Sequence, residues 1–482
     1  MPLEKKEFEN RGLSLKVVSD NDSPIPDLSI ARGVVYCALP TFVPQVRKWL
    51  GIAKDAFNHG LLVYLLADDD TTQQHVGREV AEIPDALVRN YRRRTGRREA
   101  HEVAENIARH LPGPAANPKL QINLSDGVTL FPHEQFLVTR AFSDCVSVAL
   151  TPLSGGRSAR TFSVRAELMD SVAGPRPLPF FAKLDGPSKI EEEYQRYEQF
   201  ATHHIPWYLR PNLDAKRCIV GVEQGILVGA FVEYSESLWD AARKGRGGRY
   251  IHALFEDTLM GWRRQAHGRD PVRGSLLDAF KDVFKPEKVN SIYVTRAESL
   301  GDVKRPEELY EMLVNLPHQS WRNAPMHGDM HGENVRVRNN DAIVIDLAKT
   351  RQGPLSGDLA SLDVWLSFQC PESSVGLPTR EAWTEVVSNL YSSDSVNLLP
   401  ELETKHIGLE WLHSCIRQIR MIAESTCECG TEYQTAIAIY LLRRTMFAPD
   451  ANAAEDTYRR AYAFLLGSRL VEALVSELEA SA

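Results

Sequence analysis

The chemistry of this chain is concentrated in Met326-His327-Gly328-Asp329-Met330-His331-Gly332-Glu333-Asn334 and, a little further on, Ile343-Val344-Ile345-Asp346. The pattern is an acid on a Gly-containing turn, then an Asn, then an apolar run ending in a second acid. In phosphoryl transfer that order supplies three functions. One Asp orients and deprotonates the attacking hydroxyl, while an Asn and a second Asp hold the magnesium that neutralises the phosphates. Asp329 is the candidate base, and Asn334 and Asp346 are the candidate metal ligands. A His-Gly-Asp tripeptide alone could be a plain turn, because Gly and Asp both favour turns. The whole constellation is harder to reach by accident, since it also needs a correctly placed hairpin.

That hairpin is legible. Val335-Arg336-Val337-Arg338 alternates, Asn339-Asn340-Asp341 is turn chemistry, and Ala342 to Ile345 is an apolar return strand. It would set Asn334 and Asp346 at the same end of adjacent strands, close enough to share a cation. Upstream, residues 134 to 233 are strand-rich. Val146 to Leu153 alternates, Ser154-Gly155-Gly156-Arg157-Ser158 reads as a hairpin turn, and Thr161 to Arg165 returns. Phe180-Phe181-Ala182-Lys183-Leu184 sets a lysine on an apolar strand, which is costly unless its charge is paired or the strand is an edge. A helix is expected from Ser188 to His203, with Ile190, Tyr194, Tyr197 and Phe200 on one face. Strands are expected over Arg217 to Val222 and Gly225 to Val232. Beyond residue 235 helices dominate: Ser237 to Arg243, Tyr250 to His267, Pro306 to Leu316, Arg380 to Tyr391, Leu409 to Glu424, Tyr433 to Phe447 and Asp456 to Glu479.

The segment around Asp329 resembles the catalytic loop of the aminoglycoside phosphotransferase and choline kinase superfamily, over roughly residues 134 to 475. Within it, the layout is most similar to the phosphotransferase-type ternary complex associated domains of bacterial conflict and signalling systems. One departure is local: Gly332-Glu333 follows the second His, where many aminoglycoside kinases have Pro. The resemblance implies an α+β, bilobal protein-kinase-like fold that uses ATP and Mg2+. It puts Lys183 on the α/β phosphates, paired with Glu191, Glu192 or Glu193 of the following helix, and the family spacing favours Glu193. Backbone at Gly156, Arg157 and Ser158 would cover the phosphates, although the full Gly-x-Gly-x-x-Gly is missing. By order along the chain, the backbone of Glu233 would meet adenine. Asp358, in an Asp-Leu-Ala run, would cap a helix and brace the loop, with His327 and His331 supporting it through hydrogen bonds. The implied activity is phosphoryl transfer to a hydroxyl of a small molecule or a partner protein. The alternative is a nucleotide-binding regulatory or scaffold module. A protein kinase is disfavoured by the missing His-Arg-Asp and Asp-Phe-Gly.

Three domains are expected: an α/β unit over residues 1–122, a kinase-like strand-rich lobe over 123–233 and a helical lobe over 234–482. In the first, Leu15 to Val18, Val34 to Leu39 and Leu61 to Leu66 are short apolar strands, and Phe42 to His59 has helical spacing. A small parallel sheet follows, vaguely like a degenerate receiver domain that could dock a protein partner. Asp68-Asp69-Asp70, with Asp20 and Asp22, could suit a phosphoacceptor site, but a solvated strand-end turn is favoured. Glu99 to Leu111 reads as a helix, and the Pro-rich run from Pro112 to Pro118 as a linker. The net charge of −8 argues against a dedicated nucleic-acid binder, and the basic run Asn90 to Arg98 reads as a solvated loop or helix face. No apolar run is long enough for a membrane span, and the N-terminus lacks the core of a secretory signal. Seven scattered cysteines point to the reducing cytoplasm. His413, Cys415, Cys427 and Cys429 match no common zinc spacing and read as buried structural residues.

Overall fold

The computed structural model describes residues 2–11, 13, 33–38, 62–67, 91–93, 101–105, 107, 114 and 116–481, apart from 154–158, 170–176, 222–223, 281–282, 372–377, 401–407 and 450–452. The protein is α+β and divides into two compact units, one of Met1–Tyr194 with Asn212–Glu233, the other of Gln195–Pro211 with Tyr234–Ala482.

The first unit holds two sheets. Strands β1 (Gly33–Ala38), β2 (Leu62–Ala67) and β3 (Tyr91–Arg93) pair in parallel. Tyr64 lies with Phe8, Leu13, Val103, Ala104 and Ile107 in a small core, and residues 101–105 are helical. The middle of the basic run is thus a strand and not a loop or helix: β2 offers an unpaired edge, and Tyr91–Arg93 takes it. Asp20, Asp22, Asp68, Asp69, Asp70, the strand over 15–18 and the helix over 42–59 lie outside the described residues, as do residues 112, 113 and 115 of the Pro-rich run.

The second sheet runs in the order β4 (Gln121–Leu124), β5 (Cys145–Pro152), β6 (Arg160–Leu168), β7 (Leu178–Asp185), β9 (Gly225–Ala230), β8 (Ile219–Val220). All neighbours are antiparallel except β4 and β5. Alternation drives it. Val148, Leu150, Phe162, Val164, Ala182, Leu184, Ile226 and Val228 share one buried cluster with Leu137, Val138 and Ala141 of the helix Pro132–Ala141. Burying one face of every strand this way pins the register, since a slip of one residue would turn each apolar set outward. The strand expected over 217–222 is cut to Ile219–Val220. Arg217 is the reason: its guanidinium forks onto Asp144 at 2.6 and 2.7 Å and donates to the Ala141 carbonyl at 2.8 Å, while its backbone N–H closes a turn on Asp214.

The second unit is mostly helix around the expected hairpin, which pairs Val335–Arg338 with Asp341–Val344 through a left-handed Asn339. The helix expected over 188–203 is α-helical only across Pro187–Arg196 and widens to a π turn at Tyr197–Ala201, where Trp262 donates to the Phe200 carbonyl at 2.8 Å. The 250–267 helix is likewise broken by a π turn at Leu254–Thr258. The helices Ser356–Phe368, Glu410–Thr426, Gly430–Arg443 and Ala453–Ser481 form the body of the unit. Asp363 is buried among them and accepts from Tyr391, from Tyr433 at 2.8 Å and from Arg420 at 3.5 Å. Burial pushes its carboxyl up, and Arg420 and the two phenols pull the other way. Of the clustered cysteines, Cys415 is buried, Cys427 half-buried and Cys429 exposed, so burial holds for Cys415 alone. Among the described residues, no helix is long and apolar enough to cross a membrane.

Candidate active site

In the sheet unit, Lys183 sits on β7, flanked by β6 and β9, so it is not on an edge. Strand alternation turns Ala182 and Leu184 into the core and Lys183 to the opposite face. The helix Pro187–Arg196 lies on that face. Gly225 permits its approach: a Cβ there would stand 2.9 Å from Ile190. One helical turn on from Ile190, Glu193 meets Lys183, whose Nζ donates to Oε2 at 2.8 Å. Their side chains are only 14% and 11% exposed, so removing either partner would leave a largely buried charge unpaired. Glu191 and Glu192 are exposed. At the end of this unit, the Glu233 N–H donates to the Phe231 carbonyl at 3.1 Å and its carboxylate pairs with Arg165. That N–H is therefore engaged within the chain, which leaves the Glu233 carbonyl as the candidate contact. Gly156, Arg157 and Ser158 lie outside the described residues.

In the helical unit, the loop from His327 to Asn334 is held from below. Asp358 is not the cap of its helix, which begins after Leu355, but stands in its first turn. Its carboxylate accepts the backbone N–H groups of His327 at 2.6 Å and Gly328 at 3.1 Å. Gly328 is left-handed (φ +77°), and a Cβ there would collide with the Lys349 carbonyl, so the tight turn needs glycine twice over. His327 donates from Nε2 to the Ile345 carbonyl at 2.9 Å, tying the loop to the hairpin. Ser361 Oγ donates to the Met330 carbonyl at 2.8 Å. His331 stacks on Trp365, with centroids 5.4 Å apart, and accepts the Glu333 N–H at Nδ1. Burial pushes its pKa down to about 4, against the pull of Asp329, so the ring is neutral at pH 7.

Asn334 and Asp346 end up side by side along the hairpin. The Ile345 N–H donates to the Asn334 carbonyl at 2.9 Å, which sets Asp346 one residue past that pair. Asn334 is buried, and its Nδ2 donates to the Asp329 carbonyl at 3.0 Å, leaving Oδ1 as its acceptor. Asp346 is exposed and left-handed (φ 57°, ψ 70°), a conformation that a short polar side chain tolerates better than most. Asp329 keeps 39% of its side chain exposed. Burial pushes its carboxyl up, but the adjacent Arg443 guanidinium leads the opposing pull, and the carboxyl is held below the usual carboxylate range.

Arg443 was not singled out by the sequence reading. Its Nη2 donates to Asp329 Oδ1 at 2.9 Å across 114 residues of chain. It ends the helix Gly430–Arg443, and nothing near it in sequence sets it apart from its neighbour Arg444. Trp365, the stacking partner of His331, likewise carries no local signal in the sequence.

No protein-family model matches the chain. No curated protein matches it either. Among solved structures it is similar to the amicoumacin kinase hAmiN in complex with AMP-PNP, Ca2+ and Ami (12% identity, 68% of this chain and 88% of that one, TM-score 0.35). It is similar to a choline/ethanolamine kinase family protein from Mesorhizobium loti (12% identity, 68% and 92% covered, TM-score 0.37). A third likeness is to an aminoglycoside phosphotransferase from Streptomyces rimosus (16% identity, 56% and 92% covered, TM-score 0.30). Likenesses at these scores assign the chain to no family, and the side-chain geometry is what bears on its chemistry.

Proposed function

We propose that the protein is an ATP- and Mg2+-dependent phosphotransferase acting on a hydroxyl acceptor. The observation that carries this reading is the tie between loop and hairpin: Asn334 donates to the Asp329 carbonyl, and Ile345 donates to the Asn334 carbonyl. An acid, an amide oxygen and a second acid are thereby held in one short segment on a braced turn. Phosphoryl transfer asks the protein for positioning and electrostatics more than for covalent chemistry, and this segment supplies both.

In this reading Asp329 accepts the hydroxyl proton as the acceptor oxygen bonds to the γ-phosphorus and ADP leaves. Lys183, held by Glu193, binds the phosphates. The Glu233 backbone, and the backbone of Gly156, Arg157 and Ser158, contact the nucleotide. Asn334 and Asp346 fit magnesium, which takes oxygen ligands and is usually bound through only one or two carboxylates plus phosphate. Bound there, the ion neutralises phosphate charge. Within this proposal, kinship with the ternary complex associated domains would give the N-terminal α/β part a docking role toward a protein partner. The setting would be cytoplasmic.

The test is Asp329→Asn, which keeps shape but loses the proton-accepting carboxylate. Phosphoryl transfer from labelled ATP to a metabolite extract should fall by about 10²-fold or more, the size of a general-base contribution. ATP affinity should barely change. Tight ATP binding by the wild type without any transfer would instead favour a nucleotide-binding regulatory module.

A further inference from the structure

Arg443 stands on the proposed base, Asp329. A guanidinium has five N–H donors in a rigid fork. Among the described residues, Arg443 uses one of them, on Asp329 Oδ1. Its other contacts are the ring faces of Tyr440 and Phe447, 5.7 and 5.4 Å from the guanidinium carbon. The side chain is 22% exposed, so the remaining donors are neither lost in the core nor dispersed into open solvent. By contrast, Arg460 and Arg420 nearby in the unit are engaged by backbone carbonyls and buried carboxylates.

A second observation lies beside it. The Tyr440 hydroxyl is buried and has no hydrogen-bond partner among the described residues. Its ring lies 5.7 Å from the Arg443 guanidinium carbon and edge-on to Phe280, with ring centroids 6.0 Å apart. Beside Asp329, Arg443 therefore keeps spare guanidinium donors, one of its N–H groups being held by the Asp329 carboxylate itself. Those donors suit an anionic acceptor, which could engage them as a bidentate fork.

We propose that the acceptor is an anionic alcohol, a hydroxyl compound carrying a carboxylate or phosphate, and that Arg443 binds that anion beside the hydroxyl that Asp329 deprotonates. This rests on the phosphotransferase reading. It also gives the Arg443–Asp329 pair a purpose: without an acceptor the guanidinium sits on the base, and an acceptor anion takes it over and frees Oδ1 for the hydroxyl.

The test uses the full chain and acceptors of one carbon skeleton that differ in charge: glycerate, glycerol and 3-amino-1,2-propanediol, then gluconate, glucose and glucosamine. Glycerol 3-phosphate and glucose 6-phosphate form the phosphate arm and separate it from the carboxylate arm. Transfer from labelled ATP and thermal stabilisation by each acceptor are both read. An anionic member should exceed its neutral and cationic partners in kcat/KM by about tenfold or more, the worth of one charge-assisted hydrogen bond. Arg443→Gln should erase that preference mainly through KM, and Arg443→Lys should keep part of it. Preferred transfer to the neutral or amino members by the wild type overturns the proposal and leaves the phosphotransferase reading standing. Stabilisation by an anion that Arg443→Gln abolishes, with no transfer to any member, keeps the anion site and overturns the phosphotransferase reading. Neither transfer nor stabilisation by any anion overturns both.

Discussion

At the scale of single residues, the candidate side chains in each unit are groups whose partners decide what each can do. Lys183 is tied to Glu193, Asp329 to Arg443, and Asn334 gives its amide N–H to the loop and keeps its oxygen. Asp346 differs from these in being exposed at the end of the hairpin, in a left-handed conformation that few residues adopt without cost. A carboxylate so placed suits a hard cation. Asp346→Ala should therefore abolish the magnesium dependence of nucleotide binding while leaving the fold intact. Titrating ATP with and without magnesium checks this, and a mutant that keeps the wild-type metal dependence would remove Asp346 from the ligand set.

Elements set these residues in place through backbone groups more than through side chains. The hairpin holds Asn334 and Asp346 in register, and the first turn of Ser356–Phe368 holds the loop through Asp358. The helix Gly430–Arg443 carries Arg443 at its C-terminal end, where a cation also suits the helix dipole. Its opposite end buries Glu432, which accepts the Glu428 N–H at 2.9 Å and is 1% exposed. Burial pushes the Glu432 carboxyl from 4.5 up to about 7. The folded state thus favours the protonated acid, and stability contributed at low pH is lost as pH rises from 4.5 through about 7. Glu432→Gln stays neutral throughout. It should match the wild type below pH 4.5 and exceed it above pH 7 by at most about 3 kcal/mol. Urea unfolding at both ends of that window measures the difference, and an equal gap at both would mean that ionisation of Glu432 is not its cause.

At the scale of the whole molecule, the six-stranded sheet reaches back to residue 121 through β4, and its anchors start earlier. Arg140 donates to the Pro114 carbonyl at 2.9 Å, and Asn117 Nδ2 donates to the Cys145 carbonyl at 3.0 Å. A fragment of residues 113–482 keeps those bonds and should fold and bind ATP as the full chain does. A fragment starting at residue 126 loses β4 and both anchors and should be markedly less stable. Thermal unfolding and ATP titration of the two fragments test this. Should the longer one be insoluble, the parallel sheet of β1 to β3 is part of the folding unit.

The sequence alone determined what is local. The loop, the alternating hairpin and its Asn-Asn-Asp turn lie within residues 326–346, and neighbouring residues in a turn or strand are constrained by their own chemistry. The long amphipathic helices were legible for the same reason, since their period is written in consecutive residues. The π turns at Tyr197–Ala201 and Leu254–Thr258 were not, because helical spacing continues across them, and their tertiary bonds, Trp262 to the Phe200 carbonyl and Thr258 to the Ala342 carbonyl, come from residues distant in sequence. Nor could three consecutive glutamates be told apart by periodicity. Each step along a helix rotates the side chain by about 100°, and only the seat of Ile190 against Gly225 turns Glu193 toward Lys183. Arg443 is the clearest case of what tertiary structure decided. Its partner is 114 residues away, and no local pattern specifies a contact that exists only once the helix Gly430–Arg443 has packed into the unit that holds the loop.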